Sequence, residues 1–260
     1  MNFTNQLLNW YKKHKRNLPW RTTTNPYYIW LSEIILQQTR IEQGLPYYEA
    51  FTTKFATLKD LATADEDAVL KLWQGLGYYS RARNLHFTAQ YIYNELNGVF
   101  PKSYAEIIKL KGIGPYTAAA IASFAYKEPV AVVDGNVFRV LARFFGIYDD
   151  IAVTKTRNVF QNLANELIST THPDLFNHAI MDFGATVCLP ANPKCDICIF
   201  NENCFAFLKN EVAKLPIKNK KISVKNRYLN YLILRKNNEI AIQQRTEKDI
   251  WQQLFELPHI

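Results

Sequence analysis

Hydrophobic side chains recur at helical spacing through most of the first 208 residues, with short polar breaks between the periodic stretches. Start and stop signals mark several of these breaks. Asn25-Pro26 fits an N-cap followed by a first-turn proline, and Asn97-Gly98 is typical of a helix end. The pattern predicts an all-α fold. The predicted helices are 3–14, 26–43, 65–73, 79–96, 103–110, 115–125, 136–145, 154–169 and 174–187.

The pattern changes after residue 208. Residues 209–227 are basic and show little periodicity, which is typical of a linker. Residues 228–260 contain two β-favouring runs around a Lys-Asn-Asn-Glu turn, and this arrangement predicts a hairpin. A segment of 33 residues is shorter than the ~40 residues that usually form a core unaided. We therefore expect residues 228–260 to be the start of a second, β-rich domain.

The charge balance indicates the kind of partner. The chain has 31 Lys and Arg against 23 Asp and Glu, a net charge of +8, which favours a polyanion such as nucleic acid. No apolar run approaches the ~18 residues that a membrane helix needs, and the first residues lack the apolar segment of a signal peptide. We expect a cytoplasmic protein with no membrane attachment.

All four cysteines, Cys188, Cys195, Cys198 and Cys204, lie in one short segment with the spacing C-x6-C-x2-C-x5-C. This clustering excludes a disulfide framework spread over the chain. Four thiolates converging from one loop can bind zinc or an iron–sulfur cluster. The spacing therefore predicts one local metal site, and by itself it leaves both metals open.

Residues 111–117, Lys-Gly-Ile-Gly-Pro-Tyr-Thr, form a glycine-rich turn between two predicted helices. Gly112 and Gly114 can take positive φ and leave backbone N–H groups uncovered, and Pro115 can open the second helix. A DNA phosphate could then bind at the positive N-terminus of that helix. The alternative is a tight turn between two helices with no ligand.

Two acidic residues stand in contrasting settings. Glu33 lies one helical turn from Ile29, Trp30 and Gln37, so partial desolvation would raise its pKa towards that of a useful general acid. Asp134 precedes the helix predicted at 136–145, where an anion is favoured. A solvated helix glutamate and a simple helix cap are the ordinary alternatives. Opposite tuning of two carboxyls suits the cleavage of a glycosidic bond.

A series of motifs occurs in order from Leu18 to Cys204: LPWR, PYYIWLSEIILQQTR, LWQGLGYYSRARNL, LKGIGPYTAAAI, VDGNVFRVLAR, FNHAIMDFGATVC and the cysteine loop. Together they closely resemble the MutY family of adenine DNA glycosylases, in the endonuclease III superfamily. The resemblance implies a helix-hairpin-helix glycosylase domain over residues 1–208, with a 4Fe-4S loop at 188–204. A linker at 209–227 and the incomplete start of a Nudix-like domain at 228–260 would follow.

The resemblance also implies a function. It predicts a monomeric, monofunctional glycosylase that hydrolyses adenine from double-stranded DNA in which adenine is mispaired with 8-oxoguanine or guanine. Glu33 would protonate N7 of the flipped adenine, and Asp134 would stabilise the oxocarbenium-like sugar. Tyr116 would brace the sugar and Asp134, at a position where the bifunctional relatives carry a lysine nucleophile.

The remaining implied contacts are to DNA. The resemblance implies that Gln38 and Tyr78 wedge into the duplex around the 8-oxoguanine, that Thr39 contacts that base and that Arg21 lines the adenine pocket. Gly112 and Gly114 would bind the DNA backbone, and Trp30 and His178 would belong to the base pocket. The ordinary alternatives are a core residue for Tyr78, a plain surface residue for Gln38 and a surface charge for Arg21. His178 departs from the family pattern, which usually has Gln or Glu there, so the base contact it makes is open.

Two other classes of protein share part of this pattern. A bifunctional glycosylase and lyase would keep the cysteines and Asp134, but it would carry lysine in place of Tyr116 and would not need Glu33. A non-catalytic DNA-binding module would keep the hairpin and cysteines without a reason to retain Glu33, Asp134 and Tyr116 together.

Overall fold

The computed structural model describes residues 2–219, 226–247 and 249–259. The all-α prediction for the first 208 residues is confirmed. The helices are α1 (Phe3–His14), α2 (Pro26–Ile35), α3 (Ile41–Lys54), α4 (Leu58–Ala62), α5 (Glu66–Trp73), α6 (Ser80–Glu95), α7 (Tyr104–Ile107), α8 (Pro115–Tyr126), α9 (Gly135–Phe145), α10 (Thr154–Leu167), α11 (Pro173–Thr186) and α12 (Phe205–Leu208). Short 3-10 turns occur at Pro19–Arg21 and Cys195–Ile197.

One predicted helix, 26–43, is wrong in its extent. Helix α2 ends at Ile35, and a separate helix α3 begins at Ile41. Between them Gln38 takes φ of 56°, and the guanidinium of Arg81 binds carbonyls at the end of α2. This contact with a distant side chain takes acceptors that a longer helix would use, and it is invisible in local periodicity. The sequence also failed to predict α3 and α4 as separate helices, and α7 is shorter than predicted.

Helices α2 to α8 enclose a first core, centred on the buried face of α2 with Ile29, Trp30, Leu31, Ile34 and Ile35. Helices α1, α9, α10 and α11 enclose a second core, in which Leu7, Phe160 and Phe176 are fully buried. Met181 of α11 packs against both cores. The cavity described below lies between them.

The hairpin predicted after the linker is present but short. Strands β1 (Arg235–Lys236) and β2 (Glu239–Ile240) pair antiparallel, and β3 (Gln243–Gln244) pairs with β4 (Phe255–Glu256). Most side chains of this segment are exposed. A hydrogen bond from Arg83 Nη1 to the carbonyl of Gln252, at 3.0 Å, joins it to α6.

Residues 220–225 of the predicted linker, together with Met1, Lys248 and Ile260, lie outside the described residues. The domain boundaries at 208 and 227 therefore stay predictions. Across the described part of the chain, no helix combines the length and apolar character required to cross a membrane.

Candidate active site

A cavity of about 800 Å³ opens between the two cores. Its walls come from the C-terminal half of α2, the first turn of α8, the N-terminus of α9 and the inner face of α11. Seven of the residues predicted from the sequence line it: Arg21, Glu33, Gln38, Thr39, Tyr116, Asp134 and His178.

Glu33 projects from α2 into this cavity. Its side chain is half-buried. Burial raises the pKa of Glu33 to about 7, and nearby Asp134 adds to the shift while the Tyr116 hydroxyl and Arg21 oppose it. This is the direction that the apolar neighbours in the sequence predicted. A carboxyl with this pKa is partly protonated at neutral pH and can donate a proton.

Tyr116 occupies the first turn of α8, directly after the glycine-rich turn. Its hydroxyl donates to Met181 Sδ at 3.3 Å and lies close enough to Glu33 and Asp134 for both to influence its pKa. Burial is the largest cause that raises the pKa of Tyr116, so the phenol is neutral. It can act as a hydrogen-bond donor to a group in the cavity.

Asp134 caps helix α9, as the sequence predicted. Its Oδ1 accepts from the backbone N–H groups of Asn136 and Val137, both at 2.8 Å, and its Oδ2 accepts from Asn136 Nδ2 at 2.7 Å. These donors and the positive helix terminus complement a negatively charged carboxylate. The carboxylate faces the same cavity as Glu33.

The polar contacts behind Asp134 continue to the cysteine loop. Asn136 Oδ1 accepts from Arg139 Nη2 at 2.9 Å, and the same guanidinium donates to the carbonyls of Gly184 and Cys188, each at 2.7 Å. One helical turn further, Arg143 Nη1 lies 3.4 Å from Cys188 Sγ and donates to the Leu189 carbonyl. Side chains on one face of α9 thus connect the Asp134 carboxylate to the cysteine loop through hydrogen bonds.

Arg21 reaches the cavity through a buried ion pair. Its Nη1 and Nη2 lie 2.6 and 2.8 Å from the two oxygens of Asp182, which is fully buried in α11. Arg16 Nε also binds Asp182, at 2.7 Å. The guanidinium of Arg21 is therefore held rigidly, with its charge offset by a carboxylate that the sequence analysis did not identify.

His178 projects from α11 into the cavity, and its ring stacks on Phe124 with centroids 3.9 Å apart. Burial, reinforced by the charge of Arg21, lowers the pKa of His178 to about 3. Among the described residues its Nδ1 is buried without a hydrogen-bond partner. The imidazole is thus neutral and offers one donor nitrogen and one acceptor nitrogen.

Gln38, Thr39 and Tyr78 lie on two turns near the cavity. Gln38 and Thr39 belong to its lining, whereas Tyr78 does not and is 60% exposed. Gln38 and Tyr78 both have positive φ, 56° and 48°, which is uncommon for residues other than glycine. Both turns therefore hold strained backbone next to the site.

Trp30 lies apart from this cavity. It is 1% exposed and lines a second cavity of about 200 Å³, beside Arg81, Asn84 and Gly112. Its indole Nε1 has no hydrogen-bond partner among the described residues. The structure thus places Trp30 beside the glycine-rich turn and outside the cavity that Glu33 lines.

The glycine-rich turn is followed by a helix that begins at Pro115, as expected, but of its two glycines only Gly112 has a positive φ. Gly112 takes φ of 80°, and a Cβ there would lie 2.7 Å from the Cβ of Asn84. Gly114 is extended, with φ of −94°, so the expectation of positive φ does not hold for it. It is exposed, it precedes Pro115, the first residue of α8, and a Cβ there would meet no atom within 4 Å. Backbone at the N-terminus of α8 is accordingly open to a ligand.

The four cysteines line one small cavity together with Arg143. All four are partly buried and none is in a disulfide. Burial raises the pKa of Cys198 to about 11, so its thiolate needs positive charge nearby. In the described ranges, no group of three or more His, Cys, Asp or Glu side chains is arranged to hold a metal ion.

Sequence reasoning missed the polar residues that hold these groups, namely the buried Arg139, Arg143, Asn177 and Asp182 and the half-buried Arg81 and Asn136. A local signal exists for three of them: Arg139 lies three residues after Asn136 and Arg143 four residues after Arg139, which places them on one face of the helix that Asp134 precedes. Asn177 is fully buried and binds the backbone of residues 130 and 132, just before Asp134.

Comparison with known proteins gives consistent results. The family model described as "HhH-GPD superfamily base excision DNA repair protein" matches residues 31–166. The adenine DNA glycosylase of Buchnera aphidicola subsp. Baizongia pistaciae is 41% identical over 259 residues, covering 98% of this chain and 73% of that protein. The adenine DNA glycosylase of Homo sapiens is 41% identical over 223 residues, covering 82% of this chain and 41% of that protein.

Solved structures share the fold. A thermostable thymine-DNA glycosylase superposes with a TM-score of 0.74 at 29% identity, covering 80% of this chain and 95% of that one. Endonuclease III in a non-covalent DNA complex gives a TM-score of 0.67 at 22% identity, covering 81% of this chain and 99% of that one.

Proposed function

The chain belongs to the HhH-GPD superfamily of base excision DNA repair proteins, and from this premise we propose that it removes adenine mispaired with 8-oxoguanine or guanine in double-stranded DNA. Relatives that are 41% and 36% identical, each over 98% of this chain, are named adenine DNA glycosylases. The observation that carries the proposal is the convergence of Glu33, Tyr116 and Asp134 on one cavity, with contrasting surroundings for the two carboxyls.

In the proposed reaction Glu33 is the general acid. A target base must leave the helical stack to reach this cavity. The carboxyl of Glu33, with a pKa of about 7, donates its proton to N7 of adenine. The C1′–N9 bond then breaks, and its electron pair leaves with the base. Protonation makes adenine a neutral leaving group, which lowers the barrier to this step.

Asp134 acts on the other product of that cleavage. Positive charge develops at C1′ of the sugar, and a carboxylate held by three hydrogen bonds stabilises it without first reorganising. Water then adds to C1′ and gives up a proton to the Glu33 carboxylate. The products are free adenine and an abasic sugar, and the acid is regenerated.

Tyr116 supports hydrolysis over strand cleavage. A lyase needs an amine to form a Schiff base with C1′, and a phenol cannot do this. Among the described residues, the lining of the cavity includes arginines but no lysine. We therefore propose a monofunctional enzyme in which the Tyr116 hydroxyl positions the sugar beside Asp134.

DNA binding in this proposal comes from two surfaces. Open backbone at Gly112 and Gly114 binds a phosphate at the N-terminus of α8. Gln38, Thr39 and Tyr78 contact the partner base of the mispair from the two strained turns. Arg21 and the neutral His178 line the base pocket and can contact the edge of the adenine.

We further propose that Cys188, Cys195, Cys198 and Cys204 hold a 4Fe-4S cluster. All four line one cavity with Arg143, and their spacing, C-x6-C-x2-C-x5-C, resembles the 4Fe-4S loop of the endonuclease III superfamily more than the two close pairs typical of zinc sites. Such a cluster would cross-link the loop to α9, where Arg143 contacts Cys188. Its contribution here is structural, because it fixes the loop against the helix that carries Asp134.

The deciding experiment is incubation with duplexes containing adenine opposite 8-oxoguanine, opposite guanine and opposite thymine, each analysed with and without alkali. We expect excision on the first two, with strand breaks only after alkali. Efficient strand cleavage without alkali, together with borohydride-trapped adducts, would contradict the monofunctional mechanism. Absence of excision from every duplex would contradict the proposed function.

The cluster is tested on protein purified without oxygen. We expect about four iron and four sulfide per chain and visible absorption, both lost in Cys198→Ser along with folding or DNA affinity. Colourless, active protein with one zinc per chain would contradict the assignment.

A further inference from the structure

The side chain of Arg81 forms hydrogen bonds with two separate turns beside the active site. The first turn, residues 36–40, follows α2, and the second, residues 74–79, precedes α6. Each contains an exposed residue with positive φ, Gln38 in the first and Tyr78 in the second. Backbone hydrogen bonds close each turn locally, from Thr39 N–H to the Leu36 carbonyl and from Leu76 N–H to the Trp73 carbonyl, but neither of these bonds joins one turn to the other.

Arg81, in the first turn of α6, supplies contacts to both turns. Its Nη1 lies 3.1, 3.0 and 2.6 Å from the carbonyls of Ile34, Ile35 and Gln37, and 3.3 Å from Thr39 Oγ1. These acceptors all belong to the end of α2 and the first turn.

The same guanidinium binds the second turn. Arg81 Nη2 lies 3.3 Å from both the Leu76 and Gly77 carbonyls. The guanidinium carbon also lies 5.0 Å from the ring centroid of Trp73 and 5.7 Å from that of Tyr78. Trp73 in turn donates to the Gly77 carbonyl at 3.0 Å. A planar cation with donors on both sides therefore joins the two turns.

We propose that Arg81 is a positioning residue for recognition of the mispair's partner base. It holds Gln38 and Tyr78 at a set distance from each other and keeps the strained backbone of both turns in place. This inference rests on the proposed function, because it acts through residues assigned there to the partner base. Arg81 itself touches neither the base nor the reacting atoms.

Arginine is required for this role because of its shape. A lysine ammonium carries the same charge as a single compact donor group and cannot bind both turns with a fixed geometry. Arg81→Lys thus preserves the positive charge but removes the hydrogen bonds that join the two turns. Arg83→Lys is the matched control, since Arg83 lies on the same helix and, among the described residues, its side chain donates a hydrogen bond only to the Gln252 carbonyl.

The first measurement compares single-turnover excision of adenine opposite 8-oxoguanine and opposite guanine. We expect Arg81→Lys to compress the ratio of the two rates at least tenfold, whereas Arg83→Lys leaves it within threefold. Arg81→Gln, which reaches fewer carbonyls, should compress it as strongly. A general loss of structure would lower both rates together and leave the ratio unchanged, and that result would overturn the proposal.

A second measurement, the rate of trypsin cleavage, does not depend on glycosylase activity. Arg40 is exposed at the end of the first turn, so trypsin cleavage after it reports how firmly the turn is held. We expect Arg81→Lys to accelerate this cleavage at least fivefold at an unchanged melting temperature, with no change in Arg83→Lys. Unchanged cleavage would overturn the role of Arg81. If the wild-type protein excised no adenine, the proposed function would fail and the cleavage rate alone would decide whether Arg81 holds the turn.

Discussion

The first core presents Glu33 from a helix with largely apolar neighbours, whereas the second core presents Asp134 from a helix end surrounded by donors. Burial raises the pKa of Glu33 to about 7, and the opposing effects of the Tyr116 hydroxyl and Arg21 do not cancel it. Asp134 accepts three hydrogen bonds, and further polar contacts lead from it to the cysteine loop. The comparison shows how one cavity can hold a proton donor and an anion: each comes from a differently built half of the molecule.

The largest effect on the excision rate should follow from removing the acidic proton of Glu33, which the first core presents. Glu33→Gln keeps the shape of the side chain but cannot donate an acidic proton, so excision should fall by about a hundredfold to ten-thousandfold. Duplex affinity should change little, because phosphate contacts supply most of it. Single-turnover kinetics and a binding titration measure the two quantities.

The control for this variant is Glu42→Gln. Glu42 also lines the cavity, but it is exposed, and its loss should leave the rate within about threefold, since a solvated carboxyl is a weak donor at neutral pH. Equal losses in both variants would show that the general charge of the cavity matters and that Glu33 has no special role.

The next largest effect on the excision rate should come from replacing Asp134, which the second core presents. Asp134→Asn removes the negative charge, and its new amide would face the Asn136 amide that now donates to Oδ2. We expect excision to fall about a hundredfold, as when other preorganised electrostatic groups are removed from enzymes. Rapid-quench measurement at saturating enzyme gives the rate of the chemical step. A rate near that of the wild type would mean that Asp134 serves only as a helix cap.

The pH dependence of the excision rate tests whether Glu33 is the general acid. Because the acid must be protonated and the pKa of Glu33 is about 7, excision should be highest below pH 7 and fall about tenfold for each pH unit above it. The Glu33→Gln variant should lose this alkaline limb. A wild-type profile that stays flat from pH 6 to pH 9 would contradict the assignment of Glu33 as the acid.

The smallest effect concerns the packing of the second core. A Cβ at Gly184 in α11 would lie 2.6 Å from Asn136 Cβ and 3.1 Å from its carbonyl oxygen, so Gly184→Ala must push α9 away. We expect a loss of about 1–3 kcal/mol in the free energy of unfolding. Excision should also slow, because Asn136 binds Asp134.

Gly44→Ala in the first core is the matched comparison. Its Cβ would also meet an atom at 2.6 Å, but that atom is Leu36 Cδ2, the end of a flexible side chain. The rotation of Leu36 can relieve this contact, so the cost should be smaller. Thermal denaturation of both variants tests the difference, and a larger loss in Gly44→Ala would show that the first core is the less adaptable of the two.

The sequence by itself determined features that depend on neighbours within a few residues. The cap at Asp134 follows from an acid placed before a helical pattern, and the start of α8 follows from Pro115. The direction of the Glu33 pKa follows from apolar residues one turn away. In each case the deciding atoms are close along the chain, so local pattern and physical chemistry suffice.

Only the tertiary structure decided the features that join distant segments. Helix α2 ends early because Arg81, more than forty positions later, binds carbonyls at its end. Arg21 is fixed by Asp182, which is 161 residues away. The side chain of Trp30, predicted for the base pocket, lines a different cavity because α2 turns that face towards Asn84 and Gly112. Such contacts depend on how helices pack, and helical periodicity specifies which face is buried but not which partner it meets.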